Sequence, residues 1–248
     1  MTAARVVVSA DHEAASREAA EEFVRHVGPP SRQKVVRVVL SGGKTPTRLF
    51  QLLTEPYWRD RVDWRRVRFF WSDERPVPPT HPESNFRLAW ELLLGPLGLG
   101  DEHVCRMRGE ANDLDAAARE YEDAIAREFG IVAGITVPQF DLVLLGLGAD
   151  GHTASLFPHT AALAETKRWV VANVIPQLGV TRLTLTYPVL NAARCVVFLA
   201  TGEDKAAAVA RVFDPYTRVD DAPARGVCPV SGELVWFLDR AAASQLSR

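Results

Sequence analysis

The segment Phe140 to Pro158, FDLVLLGLGADGHTASLFP, sets a histidine beside a glycine-rich turn at the end of an apolar run. The run Asp141 to Leu147 is β-prone and apolar through its middle, as expected of a strand buried on both faces of a parallel sheet. Ligands gather at the carboxyl ends of such strands. Gly146, Gly148 and Gly151 allow backbone that residues with a Cβ resist, so main-chain amides there can approach an anion closely. His152 then stands at the mouth of a site. The glycines also match G-x-G-x-x-G, a dinucleotide fingerprint. Pro158, however, breaks the helix that a dinucleotide fold needs, and Glu165, the nearest candidate for the ribose acid, precedes the next β-like run instead of ending it.

Two more strand ends carry polar chemistry. Ser41-Gly42-Gly43-Lys44-Thr45-Pro46 resembles a phosphate loop, but the Walker pattern would require glycine where the chain has Val38, so nucleotide hydrolysis is not expected. A strand, two glycines and a helix start still offer amides to a phosphate or a sugar hydroxyl, although a tight turn with no ligand explains the same residues. Asp73, Glu74 and Arg75 follow a third apolar run, where three ionisable groups are expensive if buried without partners; an ordinary exposed loop would explain them too. In an α/β sheet the strand ends at residues 40, 71 and 147 open on one edge. That geometry brings Gly42, Asp73, Arg75 and His152 together.

The elements that must position these residues alternate. Strands are expected at Arg5 to Ser9, Val35 to Leu40, Val67 to Trp71, Asp141 to Leu147, and near Trp169 to Val174, Arg182 to Thr186, Cys195 to Ala200 and Leu234 to Leu238. Asp11 caps a first helix with an apolar face of Ala15, Ala19, Phe23, Val24 and Val27, ended by Gly28-Pro29-Pro30. Further helices are expected around Thr47 to Leu53, with Pro46 in the first turn, from Ser84 to Leu94, along Leu114, Ala118, Tyr121, Ile125 and Phe129, and from Glu203 to Phe213. The pattern predicts a mainly parallel sheet covered on both faces. The loops at 55–63 and 215–229 are the largest excursions, and neither reads as a boundary, so residues 1–248 are expected to form a single domain. Arg59, Arg61, Arg65, Arg66 and Arg68 are interrupted by Asp60 and Asp63 and read as a solvated face, with Trp58 and Trp64 packing inward.

A hydrophobic content of 47% over 248 residues supports a substantial core. With 29 Lys and Arg against 31 Asp and Glu, the net charge of -2 creates no global field for nucleic acid or an anionic membrane. Any anion site must be local. Cys105, Cys195 and Cys228 are far apart and without a C-x-x-C pair, which suits free thiols in a reducing cytoplasm. No apolar run approaches a membrane span. His12, His26, His81, His103, His152 and His159 form neither H-E-x-x-H nor a Cys/His cluster with ligand spacing, so no metal site is expected.

Taken in order, LSGGKTP at Leu40 to Pro46, DERPVP with PESN at Asp73 to Asn85, and LGLGADGHTASLFP at Leu145 to Pro158 closely resemble the 6-phosphogluconolactonase family. RLTLT at Arg182 to Thr186, LNAA at Leu190 to Ala193 and G-x-x-KA at Gly202 to Ala206 are weaker matches. The resemblance implies hydrolysis of 6-phospho-D-glucono-1,5-lactone to 6-phosphogluconate, the second step of the oxidative pentose phosphate pathway, with no metal or organic cofactor. It also implies a three-layer α/β/α sandwich with a modified Rossmann-like sheet, shared with glucosamine-6-phosphate deaminases and ribose-5-phosphate isomerases. The motifs assign substrate-binding positions to Ser41, Gly42, Gly43, Lys44, Thr45, Ser84, Asn85, Gly148, Gly151 and Ser155, and phosphate ligands to Arg182 and Lys205. The expected partner is a small phosphosugar lactone, handled by a cytoplasmic monomer or weak dimer without nucleic acid or membrane.

Lactone hydrolysis needs an activated water, stabilisation of charge on the attacked carbonyl and a proton for the ring oxygen that leaves. His152 suits the general base, because an imidazole's ordinary pKa of about 6.5 leaves much of it neutral near pH 7. Arg75 cannot act as a base, but its fork of donors can stabilise developing charge. Either Asp73 or Asp150 could orient the imidazole. Many members of the family carry a lysine shortly before the arginine of R-x-T-L-T, where this chain has Gln177, which can donate hydrogen bonds but supplies no charge. A deaminase of the same superfamily would usually show D-E-Y or D-E-F and D-G-H-I-A-F-N-E-P, against Arg75 and then Thr153 to Pro158 here. A non-catalytic sugar-phosphate sensor would normally carry a fused DNA-binding segment, and no helix-turn-helix precedes the strand at Arg5.

Overall fold

The computed structural model describes residues 4–28, 35–132 and 134–246. Six strands, β1 (Arg5–Ser9), β2 (Val36–Leu40), β3 (Val67–Trp71), β5 (Leu142–Leu145), β8 (Cys195–Ala200) and β9 (Glu233–Asp239), form a sheet in the order β1-β9-β8-β5-β2-β3. Every pairing in it is parallel, with Val38 opposite both Phe69 and Leu142. All residues of β5 and β8 are buried, as strands covered on both faces must be. The helices α1 (His12–Val27), α2 (Pro46–Thr54), α5 (Leu114–Phe129) and α7 (Ala206–Phe213), with the shorter α3 (Pro56–Arg59), α4 (Asn85–Ala89) and α6 (Tyr187–Ala192), complete this α/β fold.

Local chemistry accounts for the helix boundaries. The Asp11 carboxylate accepts from Ala14 N at 2.9 Å and opens α1, whose Ala15, Ala19, Phe23, Val24 and Val27 are buried as expected. Pro29 and Pro30, expected to stop this helix, lie outside the described residues. Asp113 caps α5, and Gly130 closes it in the left-handed conformation at φ 64°. The stretch expected as one helix from Ser84 to Leu94 divides into α4 and a π-helical turn at Trp90–Leu94. The first half of the 55–63 loop coils into α3, and Trp58 of that helix and Trp64 after it are both buried. No helix among the described residues is long and apolar enough to cross a membrane.

A second sheet was not foreseen. β4 (Asp73–Glu74), β6 (Val170–Ile175) and β7 (Val180–Leu185) pair antiparallel in the order β4-β7-β6, so Asp73 and Glu74 lie in a strand, where a loop was expected. A strand of two residues shows no periodicity, and its pairing with β7 joins segments more than a hundred residues apart. One helix braces both sheets to each other. The α5 phenol Tyr121 Oη accepts from Trp71 N of β3 at 2.8 Å, while α5 Glu122 accepts from Trp169 N at 2.6 Å and Val170 N of β6 at 3.0 Å.

Candidate active site

The carboxyl ends of β2, β5 and β8 open, together with β4 and β7, onto one cavity of about 480 Å³. Ser41, Gly42, Gly43, Lys44, Thr45, Asp73, Arg75, Asn85, Gly148, His152, Arg182 and Lys205 line it. The edge-on convergence expected for Gly42, Asp73, Arg75 and His152 is therefore present. Asp150, Gly151, Ser84 and Ser155 are not on the wall.

His152 is fixed from two directions. Its Nδ1 lies 2.5 Å from Asp150 Oδ1, which also accepts from His152 N at 3.0 Å. Its ring stacks on Phe157 at 3.9 Å between centroids, with planes 17° apart. Asp150, not Asp73, orients the imidazole. With Nδ1–H donating to the carboxylate, the lone pair of the neutral ring is at Nε2. Burial raises the Asp150 pKa, but the hydrogen bond and charge of His152 and the main-chain amides lower it by more, and the carboxyl ends below its ordinary range.

The turn that carries this pair is pinned at several points. Gly148 N donates to His152 O at 2.8 Å, Ala224 N to Gly151 O at 2.9 Å, and the Arg211 guanidinium to Ala149 O at 2.9 Å. A Cβ on Gly148 would lie 2.0 Å from His152 Nδ1, so the close approach requires glycine. Gly146 differs from the expectation: an added Cβ would meet open space. Ala154, on the cavity wall, holds φ at 48°, a conformation unusual for a residue with a Cβ.

Asp73 faces the cavity from a cradle of donors. Ser155 Oγ donates to its Oδ2 at 2.8 Å and Asn85 Nδ2 to its Oδ1 at 3.2 Å. Ser155 is fully buried, and Ser84, 2% exposed, donates to Glu74 Oε2 at 3.0 Å while capping α4. Both serines were expected to bind substrate; the structure turns their hydroxyls inward onto the acids of β4. Ser41 lines the cavity, but its Oγ donates to Leu144 O at 2.8 Å and sits 2.7 Å from Ser72 Oγ, tying together the ends of β2, β5 and β3.

The cavity wall is cationic on the side of the second sheet. Arg75 Nη1 donates to Glu83 O at 2.8 Å, and the Arg182 guanidinium stands 5.5 Å from the Phe157 ring centre, the ring on which His152 stacks. Neither arginine forms an ion pair among the described residues, and the Nε of each is buried without a hydrogen-bond partner. Burial first, and then the like charge of Arg75, lower the Arg182 pKa from its usual value. Such a pair favours an arriving anion. Lys205 approaches from the start of α7, with Nζ 2.9 Å from Asp204 Oδ2. Gln177 stands off the wall and donates to Pro158 O at 3.0 Å.

Sequence reasoning gave no site role to Phe157, Thr201 or His12. Thr201 directly follows β8, and His12 follows the short turn after β1, so the rule about carboxyl ends of strands could have flagged both. Strand order, which the chain does not spell out, decides whether those ends reach the cavity. One cluster of ligand-type side chains among the described residues was not visible in the spacing of the sequence. Glu22, His26 and Cys195, the last far away in sequence, have ligand atoms within 4.8 Å of one another. Arg5 and Arg25 already pair with Glu22, and burial pushes the Cys195 thiol up to about 12, so this cluster has the character of an ion-pair network.

Residues 10–236 match the family model for glucosamine-6-phosphate isomerases/6-phosphogluconolactonase. A 6-phosphogluconolactonase of Synechocystis sp. is 41% identical over 209 residues, covering 84% of each chain. A probable 6-phosphogluconolactonase of Arabidopsis thaliana is 39% identical over 223 residues, with 85% of this chain and 81% of that one covered. The structure of the 6-phosphogluconolactonase from Trypanosoma cruzi superposes with a TM-score of 0.86 at 31% identity, covering 99% of this chain and 98% of that one.

Proposed function

Because the chain belongs to the glucosamine-6-phosphate isomerase/6-phosphogluconolactonase family, we infer that it is a hydrolase that opens 6-phospho-D-glucono-1,5-lactone to 6-phosphogluconate in the pentose phosphate pathway. The observation that carries this reading is the Asp150-His152 pair, its free Nε2 presented to a cavity that holds two unpaired arginines. His152 Nε2 takes a proton from water as the water oxygen bonds to the lactone carbonyl carbon. Arg75 stabilises the charge that develops on the carbonyl oxygen. The imidazolium, held by Asp150, then returns its proton to the ring oxygen as the bond between carbonyl carbon and ring oxygen breaks. Water is consumed and no oxidant or cofactor is required.

Arg182 and Lys205, with the amides of Gly42 to Thr45, hold the phosphoryl group in this reading, each charge-assisted bond contributing about 1.5 to 3 kcal/mol. Asp73 balances the arginine charges, while Ser84, Asn85 and Ser155 keep the acids of β4 in place. Residues 1–248 act as one catalytic domain, a cytoplasmic monomer or weak dimer whose substrate is the free lactone. The test is hydrolysis of freshly generated 6-phosphogluconolactone, corrected for its spontaneous opening, beside ammonia release from glucosamine 6-phosphate. Hydrolysis well above background with no ammonia is expected. Ammonia release at a comparable rate rejects the assignment.

A further inference from the structure

β1 is an edge strand paired with β9, and its carboxyl end leads through Asp11 to His12, the first residue of α1. His12 lines the cavity, and its Nδ1 lies 2.8 Å from Oγ1 of Thr201, which lines the cavity too. That contact fixes the ring and leaves one polar atom, Nε2, without a partner among the described residues. The hydroxyl of Thr201 can donate or accept. Nδ1 can therefore accept with the proton on Nε2, donate with Nε2 bare, or donate from a ring protonated at both nitrogens. An anion arriving at Nε2 selects the two forms in which that nitrogen carries a proton.

The carboxylates near His12 in the chain and in the cavity are otherwise engaged. Glu13 pairs with Arg17 and Arg48, and Asp204 with Lys205. The other ring in the cavity, His152, has a carboxylate at 2.5 Å, and His26, outside it, is bonded to Glu22. His12 is held by a hydroxyl alone, which leaves it suited to an anion brought by the ligand. β1 stands three places from β5 in the sheet, so the chain segments carrying His12 and His152 are roughly 14 Å apart at the usual strand spacing. One imidazole can then serve the lactone carbon while the other serves the far end of the molecule.

We propose that His12 donates from Nε2 to the phosphoryl group beside Lys205 and sets the preference for phosphorylated over unphosphorylated lactones. The name of the substrate rests on the lactonase reading, whereas the anion contact can be measured without turnover. The experiment uses wild type, His12→Ala, His12→Asn and Thr201→Val. It measures calorimetric binding of 6-phosphogluconate, and kinetics with 6-phosphogluconolactone and glucono-1,5-lactone. Circular dichroism checks each fold.

His12→Ala is expected to raise both the Kd for 6-phosphogluconate and the KM for the phosphorylated lactone roughly tenfold, the loss of one hydrogen bond to a charged group, with kcat retained. The values of kcat/KM for the unphosphorylated lactone stay the same. His12→Asn, whose amide keeps a donor, recovers part of the loss, and Thr201→Val, which frees the ring, loses less than His12→Ala. If His12→Ala does not fold, Thr201→Val carries the test by the same KM and Kd criterion. Values within twofold of wild type overturn the proposal, as does an equal loss with both lactones, which would mark a structural role. Wild-type protein that binds 6-phosphogluconate but hydrolyses no lactone overturns the lactonase reading. A weakened Kd in His12→Ala would then still support the anion contact.

Discussion

A histidine with a carboxylate on one nitrogen and a phenyl ring against its face has one nitrogen left for chemistry. His152→Ala removes that nitrogen and should lower kcat at least roughly a hundredfold while binding of 6-phosphogluconate changes little, because a general base acts in the transition state. A variant that keeps more than about a tenth of kcat would show that the base is elsewhere. Asp150 bears on the pH profile. Its pKa is depressed, so it stays ionised as pH falls, and the acid limb of kcat/KM reports protonation of the base. Asp150→Asn removes the counter-charge of the imidazolium. It should lower kcat by roughly ten- to ten-thousandfold and move the acid limb to lower pH; an unmoved limb would separate Asp150 from the base. Phe157→Leu keeps the apolar bulk but not the flat face that His152 and Arg182 share, and should cost several-fold in kcat. The glycine turn made His152 legible because the signal is local. The Phe157 stack was not legible, since it forms only when residues on a loop fold back over one another.

At the scale of elements, the site is the seam between the parallel sheet and a smaller antiparallel one. β2, β3 and β5 could be read from apolar runs bounded by turn residues, and their shared edge followed from the parallel topology. β4 could not. Two acidic residues have no hydrophobic period, and they are strand because β7 pairs with them at Asp73↔Thr184 and Glu74↔Leu183. The same pairing brought Arg182 beside Arg75, which motif position alone had left undefined. Gly42 shows how closely the loop after β2 fits this second sheet: a Cβ there would lie 1.7 Å from Asn85 Oδ1, and Asn85 in turn holds Asp73. Gly42→Ala must displace Asn85 or the loop. It should lower kcat/KM at least tenfold with Tm falling by only a few degrees, a scale set by the roughly 2–4 °C that each kcal/mol of stability represents in a chain of this size. Unchanged kinetics in that variant would mean that the loop and Asn85 do not act together in the site.

Across the whole molecule, α1 links the cavity to the opposite end of the strands, since His12 stands at one end of the helix and Glu22 is about one and a half turns from the other. Glu22 is buried and pairs with Arg5 of β1 at 2.5 Å and with Arg25, which reaches Glu233 of β9 at 2.6 Å. Most other ion pairs, such as Arg61 with Glu21 and Arg65 with Asp63, are exposed and contribute little. Burial alone would raise the Glu22 pKa, but hydrogen bonds from His26, Arg25 and Arg5 bring it down from 4.5 to about 2. A depressed carboxylate stabilises the fold fully above its unfolded pKa, and that contribution fades as pH falls through the folded value. Glu22→Gln should therefore cost roughly 2 to 3 kcal/mol at pH 7, seen as a Tm lower by roughly 5–10 °C. The gap between variant and wild type should narrow progressively below about pH 4.5 and almost close near pH 2, provided both proteins still fold there. Denaturant titrations at pH 7, 4 and 3 would follow it. A gap of constant size across that range would mean that packing, and not the charge of Glu22, joins α1 to β1 and β9.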